Sequence, residues 1–226
     1  FIQHAAFTLG VLSINKNNLL KIFTDDAWKI TMLTDTIGIF TERGGTIAFH
    51  YSTEGITVID AQFPDTAPHL IAELKKRNDQ PFHLLINTHH HGDHTSGNIA
   101  FKDVVARVLA HENSLINQKN VAIANKTEEK QLYPNQTFGK VWEEKAGKEK
   151  IALYYYGAGH TNGDAIIHLQ HANIVHMGDL VFNRRHPFVD RSAGANMNNW
   201  MKVLEIALNT FSSKTKFIYG HAADGY

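Results

Sequence analysis

The sequence predicts an α/β fold. Short apolar runs of strand length recur along the chain, segments of helical register fall between them, and metal-capable side chains sit where several of those runs end. At 226 residues, 43% of them hydrophobic, the chain is long enough to bury one large core.

Runs at 29–33, 37–41, 46–50 and 56–59 are apolar and separated by turn residues, so they read as strands. Residues 66–77 follow as a helix, because Leu70, Ile71 and Leu74 share one face at helical spacing. A buried strand over 81–86, a short helix over 95–101 and a strand over 106–110 come next. The polar middle of the chain, 110–130, includes Ala122, Ile123 and Ala124 and reads as a surface helix rather than a lid. A new strand series starts near Ile151, with runs at 151–156, 174–177 and 216–219. A helix over 196–208 sets Trp200, Val203, Leu204 and Ala207 in register. No internal repeat, coiled coil or low-complexity tract interrupts this order, and no boundary splits it.

Composition narrows the partners. Lysine plus arginine equals aspartate plus glutamate at 22 each, which gives no broad attraction to nucleic acid or to an anionic membrane. No run reaches the roughly 18 apolar residues of a spanning helix, so no integral membrane association is expected. The expected partner is a small-molecule substrate; the sequence sets no oligomeric state. The first twelve residues are small and apolar enough to resemble the hydrophobic part of a twin-arginine export signal. Residues 1–20 are therefore expected to be the remnant of such a signal or an N-terminal extension, and 21–226 one catalytic domain. A periplasmic or exported location would follow, and a cytoplasmic one otherwise.

The densest chemical information lies in Thr88-His89-His90-His91-Gly92-Asp93-His94. Imidazole suits divalent transition metals and carboxylate completes a mixed nitrogen and oxygen shell, so His89, His91, Asp93 and His94 are four ligand candidates within six residues. They are too crowded to serve one ion. On a loop at the carboxyl end of strand 81–86, alternate side chains reach one metal while Asp93 and His94 turn toward a second. His90 has no spacing partner, and His83 reads as scaffold. Three later apolar runs each end in glycine and a metal-capable side chain: Gly157 to Gly159 before His160, Gly178 before Asp179, and Gly220 before His221.

Here the chain resembles the metallo-beta-lactamase superfamily, whose signature His-x-His-x-Asp-His is matched without a substitution at His89, His91, Asp93 and His94. The resemblance extends from about Asp35 to His221. It implies a four-layer alpha-beta/beta-alpha sandwich with two zinc ions in a cleft at one edge. It also implies that His89, His91 and His160 hold the first zinc, that Asp93, His94 and His221 hold the second, and that Asp179 bridges them. True metallo-beta-lactamases usually place cysteine or serine near that bridging position, whereas glyoxalase II, lactonases and many broad hydrolases place aspartate. The chain has no cysteine, so soft thiolate ligation is excluded.

The chemistry implied is hydrolysis of an ester, thioester, lactone or amide through a metal-bridging hydroxide, with Asp93 as a ligand that also accepts a proton. Beta-lactam hydrolysis, phosphodiester or sulfate-ester hydrolysis, and a non-catalytic zinc protein are the competing readings. Asp60 resembles the superfamily's buried acid, while His111 and Asp164 are weaker candidates for groups that orient ligands from behind. Arg184 and Arg185, just downstream of Asp179, are candidates to meet a substrate carboxylate, with Arg184 preferred.

Overall fold

The structure, a computed structural model, describes residues 28–222. The predicted signal remnant at 1–20 lies outside them. Seven strands form the first sheet in sequence order: β1 (Lys29–Met32), β2 (Ile37–Thr41), β3 (Ile47–Tyr51), β4 (Ile56–Ile59), β5 (Phe82–Ile86), β6 (Val105–His111) and β7 (Gln136–Phe138). Neighbours are antiparallel up to β4 and parallel from β4 to β7. The second sheet takes β8 (Val141–Ala146), β9 (Glu149–Tyr154), β10 (Ile166–Leu169), β11 (Ile174–His176) and β13 (Lys216–Ile218) in the order β13-β11-β10-β9-β8. β12 (Phe182–Asn183) and β14 (His221–Ala222) form a separate two-stranded parallel ribbon.

Alternation along the strands builds three apolar layers. The inner faces, with Ile37, Ile39 and Ile86 from the first sheet and Leu153, Ile167 and Ile174 from the second, pack against one another. The outer face of the first sheet, with Phe40, Phe49 and Leu85, is covered by helix α1 (Ala67–Arg77) through Leu70 and Leu74. Its last turn holds Lys75, Lys76 and Arg77, which suits the negative end of the helix dipole. A single helical turn, α2 (Gly92–Thr95), follows β5, and a 14-residue helix, α3 (Glu112–Asn125), follows β6. The outer face of the second sheet, with Ile166 and Val175, is covered by α4 (Met197–Thr210) through Trp200, Val203 and Ala207. Asn196 caps α4, its side-chain oxygen accepting from Asn199 N at 3.0 Å. Helix, sheet, sheet, helix is the predicted four-layer sandwich. Because both faces of each sheet are covered, its central strands are almost wholly apolar.

Among the described residues no helix is long and apolar enough to cross a membrane. The middle of the chain is the expected surface helix, α3, with Ile116, Val121 and Ile123 exposed.

Candidate metal centre

Strand direction brings the ligands together. In the first sheet β4 and β5 are parallel, so Asp60 and the loop from Asn87 to His94 leave the same edge. In the second, β10 is antiparallel to both β9 and β11, and β13 is parallel to β11. Hence β9, β11 and β13 run one way, and their carboxyl ends deliver His160, Asp179 and His221 to one edge.

Local turns then aim each side chain. His91 is extended (φ −62°, ψ 148°) and caps α2, so the chain turns between His91 and Asp93. The Thr95 hydroxyl fixes that turn by hydrogen bonding to the carbonyls of His90 (3.1 Å) and His91 (3.0 Å). The His160 turn closes on Asp164, which accepts from Gly159 N, Thr161 N and the Thr161 hydroxyl. Trp200 Nε1 donates to Leu180 O at 3.0 Å and so anchors the turn carrying Asp179 to α4. Gly45 and Gly220 leave room: a Cβ at the first would overlap the His94 ring, and at the second an Asp179 oxygen.

The first cluster is His89, His91, His160 and Asp179. His91 Nδ1 lies 3.0 Å from His89 Nε2 and 2.9 Å from His160 Nε2, and Asp179 Oδ2 lies 3.8 and 3.5 Å from those same Nε2 atoms. The second is Asp93, His94 and His221. His221 Nε2 lies 3.0 Å from Asp93 Oδ2 and 3.4 Å from His94 Nε2. Asp179 spans the two clusters, with Oδ1 3.2 Å from His94 Nε2 and Oδ2 3.5 Å from His221 Nε2. Every sequence-predicted ligand thus stands in one of two adjoining groups.

The outward nitrogens decide what the inward ones are. Thr88 Oγ1 donates its proton to Asp60 Oδ2, so it accepts from His89 Nδ1. His160 Nδ1 faces the carbonyl of Phe188 at 2.7 Å, His94 Nδ1 faces Asp60 Oδ2 at 2.8 Å, and His91 Nε2 faces Asp190 Oδ2 at 2.9 Å. Each outward nitrogen therefore carries a proton, which leaves the inward nitrogen of each ring as the one that can offer a lone pair to a cation. Lone pairs crowded this closely repel unless a cation lies between them. Their spacing matches the edge of about 3.3 Å expected for a tetrahedron with zinc–nitrogen bonds of about 2.0 Å. Asp179 Oδ1 is also buried without a hydrogen-bond partner. The donor set fits two zinc ions.

Charge is divided between the clusters. Burial holds His89 well below its ordinary pKa and lowers His160 to about 4. Burial opposes charge on His94 as well, but Asp179 and Asp60 outweigh it and hold that ring well above the ordinary value. His221 is likewise raised, to about 9, by Asp179 and Asp93 against the effect of burial. Burial would raise Asp179, yet His94, His221 and His89 keep it well below the carboxylate range. Without metal, protons on the second cluster supply the positive charge that a cation replaces.

The remaining candidates separate clearly. Asp60, fully buried at φ 67°, accepts from Thr88 N, the Thr88 hydroxyl and His94, the orienting place expected of it. Asp164 shapes the His160 turn, and burial raises it to about 7 against the donors around it. His111 caps α3 by accepting from Asn113 N and stacks on Tyr155, away from the ligands. His83 is scaffold, paired with Glu144 and Arg107. The ligands open onto a cavity of about 410 Å³ lined by His91, Asp93, Asp179, Phe182, Arg185, Phe188 and His221. Arg185 lines it and the preferred Arg184, whose backbone is left-handed (φ 54°), does not. A larger recess of about 1050 Å³ lies at the opposite sheet edge, around His50, Tyr51 and Glu149, and contains no such ligand cluster. Sequence reasoning missed Asp190, Thr88 and the Phe188 carbonyl, none of which carries a spacing signal.

Comparison with known proteins agrees with this geometry. A sequence model of the metallo-beta-lactamase superfamily matches residues 44–221. The type 2 metallo-beta-lactamase of Bacillus cereus is 24% identical over 225 residues, 99% of this chain and 80% of the relative. The type 2 enzyme of Elizabethkingia meningoseptica is 21% identical over 202 residues, 85% of this chain and 78% of the relative. Among solved structures, a metallo-beta-lactamase from Pontibacter korlensis superposes with a TM-score of 0.71 at 20% identity, over 85% of this chain and 90% of the other. Metallo-beta-lactamase IND-7 gives 0.72 at 19%, over 89% and 92%. With its sandwich, its unbroken His-x-His-x-Asp-His motif and its paired clusters of the kind found in catalytic members, the chain belongs to the metallo-beta-lactamase superfamily of metal-dependent hydrolases.

Proposed function

We propose that this protein is a binuclear zinc hydrolase of an ester, thioester, lactone or amide. The observation that carries the reading is the pair of ligand clusters joined by Asp179 at the floor of an open cleft. When bound, paired zinc ions supply an activated water near neutral pH and polarise a substrate oxygen. His89, His91 and His160 would hold one ion, Asp93, His94 and His221 the other, and Asp179 would touch both.

The chain's own groups supply the rest. Asp93 is partly exposed to the cleft and pairs through Oδ2 with His221; it accepts the proton lost by the attacking water. Arg185, on the wall, meets a substrate carboxylate by a charge-assisted contact, while Phe182 and Phe188 give the cleft apolar surface. A contact made equally in ground and transition states affects binding alone. Arg185→Ala is then expected to raise KM for an acidic substrate with kcat and zinc content little changed, and Arg184→Ala to do less.

Beta-lactams are the second reading, favoured by the names of the relatives at 24% and 21% identity. Against it stand Asp179 and the absence of cysteine. A panel of esters, thioesters, lactones, beta-lactams and phosphodiesters offered to the zinc-loaded protein separates these readings, and dominant phosphodiester turnover would overturn the acyl assignment. Export by a twin-arginine signal belongs to the same proposal, and fractionation of cells producing the protein tests it.

A further inference from the structure

We infer that Asp190 is a positioning residue for the first metal cluster: it fixes His91 with its proton on Nε2 and Nδ1 bare, and binds that cluster to the arginine-bearing loop. Of the three histidines there, His89 and His160 face inward through Nε2, while His91 alone does so through Nδ1. A free imidazole has no need to choose that nitrogen. What selects it is the acceptor behind the ring, Asp190 Oδ2 at 2.9 Å from His91 Nε2.

The carboxylate is itself held. Asp190 is buried, and its other oxygen accepts from the Ser192 hydroxyl and from Ala193 N (3.1 Å), so it does not swing away. Two residues earlier, the Phe188 carbonyl receives His160 Nδ1. The backbone joins in: Asp190 N donates to the His160 carbonyl at 3.2 Å. One segment, 188–190, therefore aims two of the three histidines and is the continuation of the loop holding Arg184 and Arg185.

His90 stands beside this pair, its Nε2 3.6 Å from the same Asp190 oxygen, and the three residues together present the outline of another cation site. Ring chemistry decides against it. A neutral imidazole has one lone pair, and His91 turns its own toward His89 and His160; a second cation on Nε2 would require an imidazolate. Asp190 is thus an acceptor here, not a ligand.

The inference rests on the first-cluster assignment but on no substrate, so failure of the hydrolase reading leaves its test intact. Zinc affinity of the full chain is measured by competition with a chromophoric chelator. Asp190→Ala is expected to weaken one of the two sites by about 10- to 100-fold. Asp190→Asn keeps an acceptor without the charge and should recover part of that loss. Nitrogen-15 spectra of the zinc-loaded wild-type protein, which need no variant to fold, should show His91 protonated at Nε2 and not at Nδ1. An Nδ1-protonated His91, unchanged affinity at both sites in Asp190→Ala, or a third zinc equivalent removed by His90→Ala would each overturn the inference.

Discussion

A single methyl group at position 220 would occupy the space of the Asp179 carboxylate. Because that carboxylate reaches both clusters, Gly220→Ala is expected to lose zinc from both, read by metal analysis of protein purified without chelator; two full equivalents in the variant would refute the shared role. Asp93→Asn makes a different prediction, since the amide keeps the size of the side chain but not its charge or its capacity to take a proton. Turnover should fall by about 10²- to 10⁴-fold at equal zinc occupancy, with the thermal midpoint little altered. Unchanged turnover would remove Asp93 from the chemistry. Ligands of this kind were legible because imidazole and carboxylate at that spacing have few other uses. Gly45 and Asp190 were not, because their roles depend on which atoms a folded loop brings alongside.

Between elements, the two sheets share a polar tie as well as an apolar core. Arg107 on β6 donates to both carboxylate oxygens of Glu144 on β8, and His83 on β5 lies 2.8 Å from the same group. The side chains are partly exposed, so Arg107→Ala should cost only about 1 kcal/mol in denaturant unfolding. Arg107, by hydrogen bonding, holds Glu144 below the usual carboxylate range against a smaller effect of burial. Its contribution is therefore complete above the unfolded pKa and disappears as pH falls through the lower folded value. The gap between wild type and variant should begin to narrow as pH falls through the ordinary glutamate value of about 4.3, and a gap independent of pH in acid would assign the effect to packing instead. Strands such as β2 to β5 were readable because burial on both faces leaves an unbroken apolar run. β8 was missed because its run VWEEKA alternates with solvent, and β12 and β14 because two residues hold no period. β9 begins at Glu149 and ends at Tyr154, two residues short of the expected end, where Tyr155 N leaves the ladder for Lys140 O. Periodicity also carries no record of sheet order; the sandwich itself was legible only through the histidine motif and the family resemblance it supports.

For the molecule as a whole, the unequal charge of the clusters predicts two metal-binding steps with different pH dependence. His94 and His221 must surrender protons to a cation, so affinity at the second cluster should decline as pH falls below about 9, with proton uptake by buffer visible in calorimetry. His89 and His160 are already neutral near pH 7, and affinity at the first cluster should fall only in acid. Identical pH profiles for the two steps would contradict this division. The seam between the sheets has one more consequence. His94 and His221 lie 127 residues apart in a chain that has no cysteine, and a cation held by both closes that span as a reversible cross-link. Removing it weakens the join between the halves and raises the population of opened forms on which proteases act. A chelating inhibitor would thus silence the site at once and shorten the lifetime of the protein afterwards.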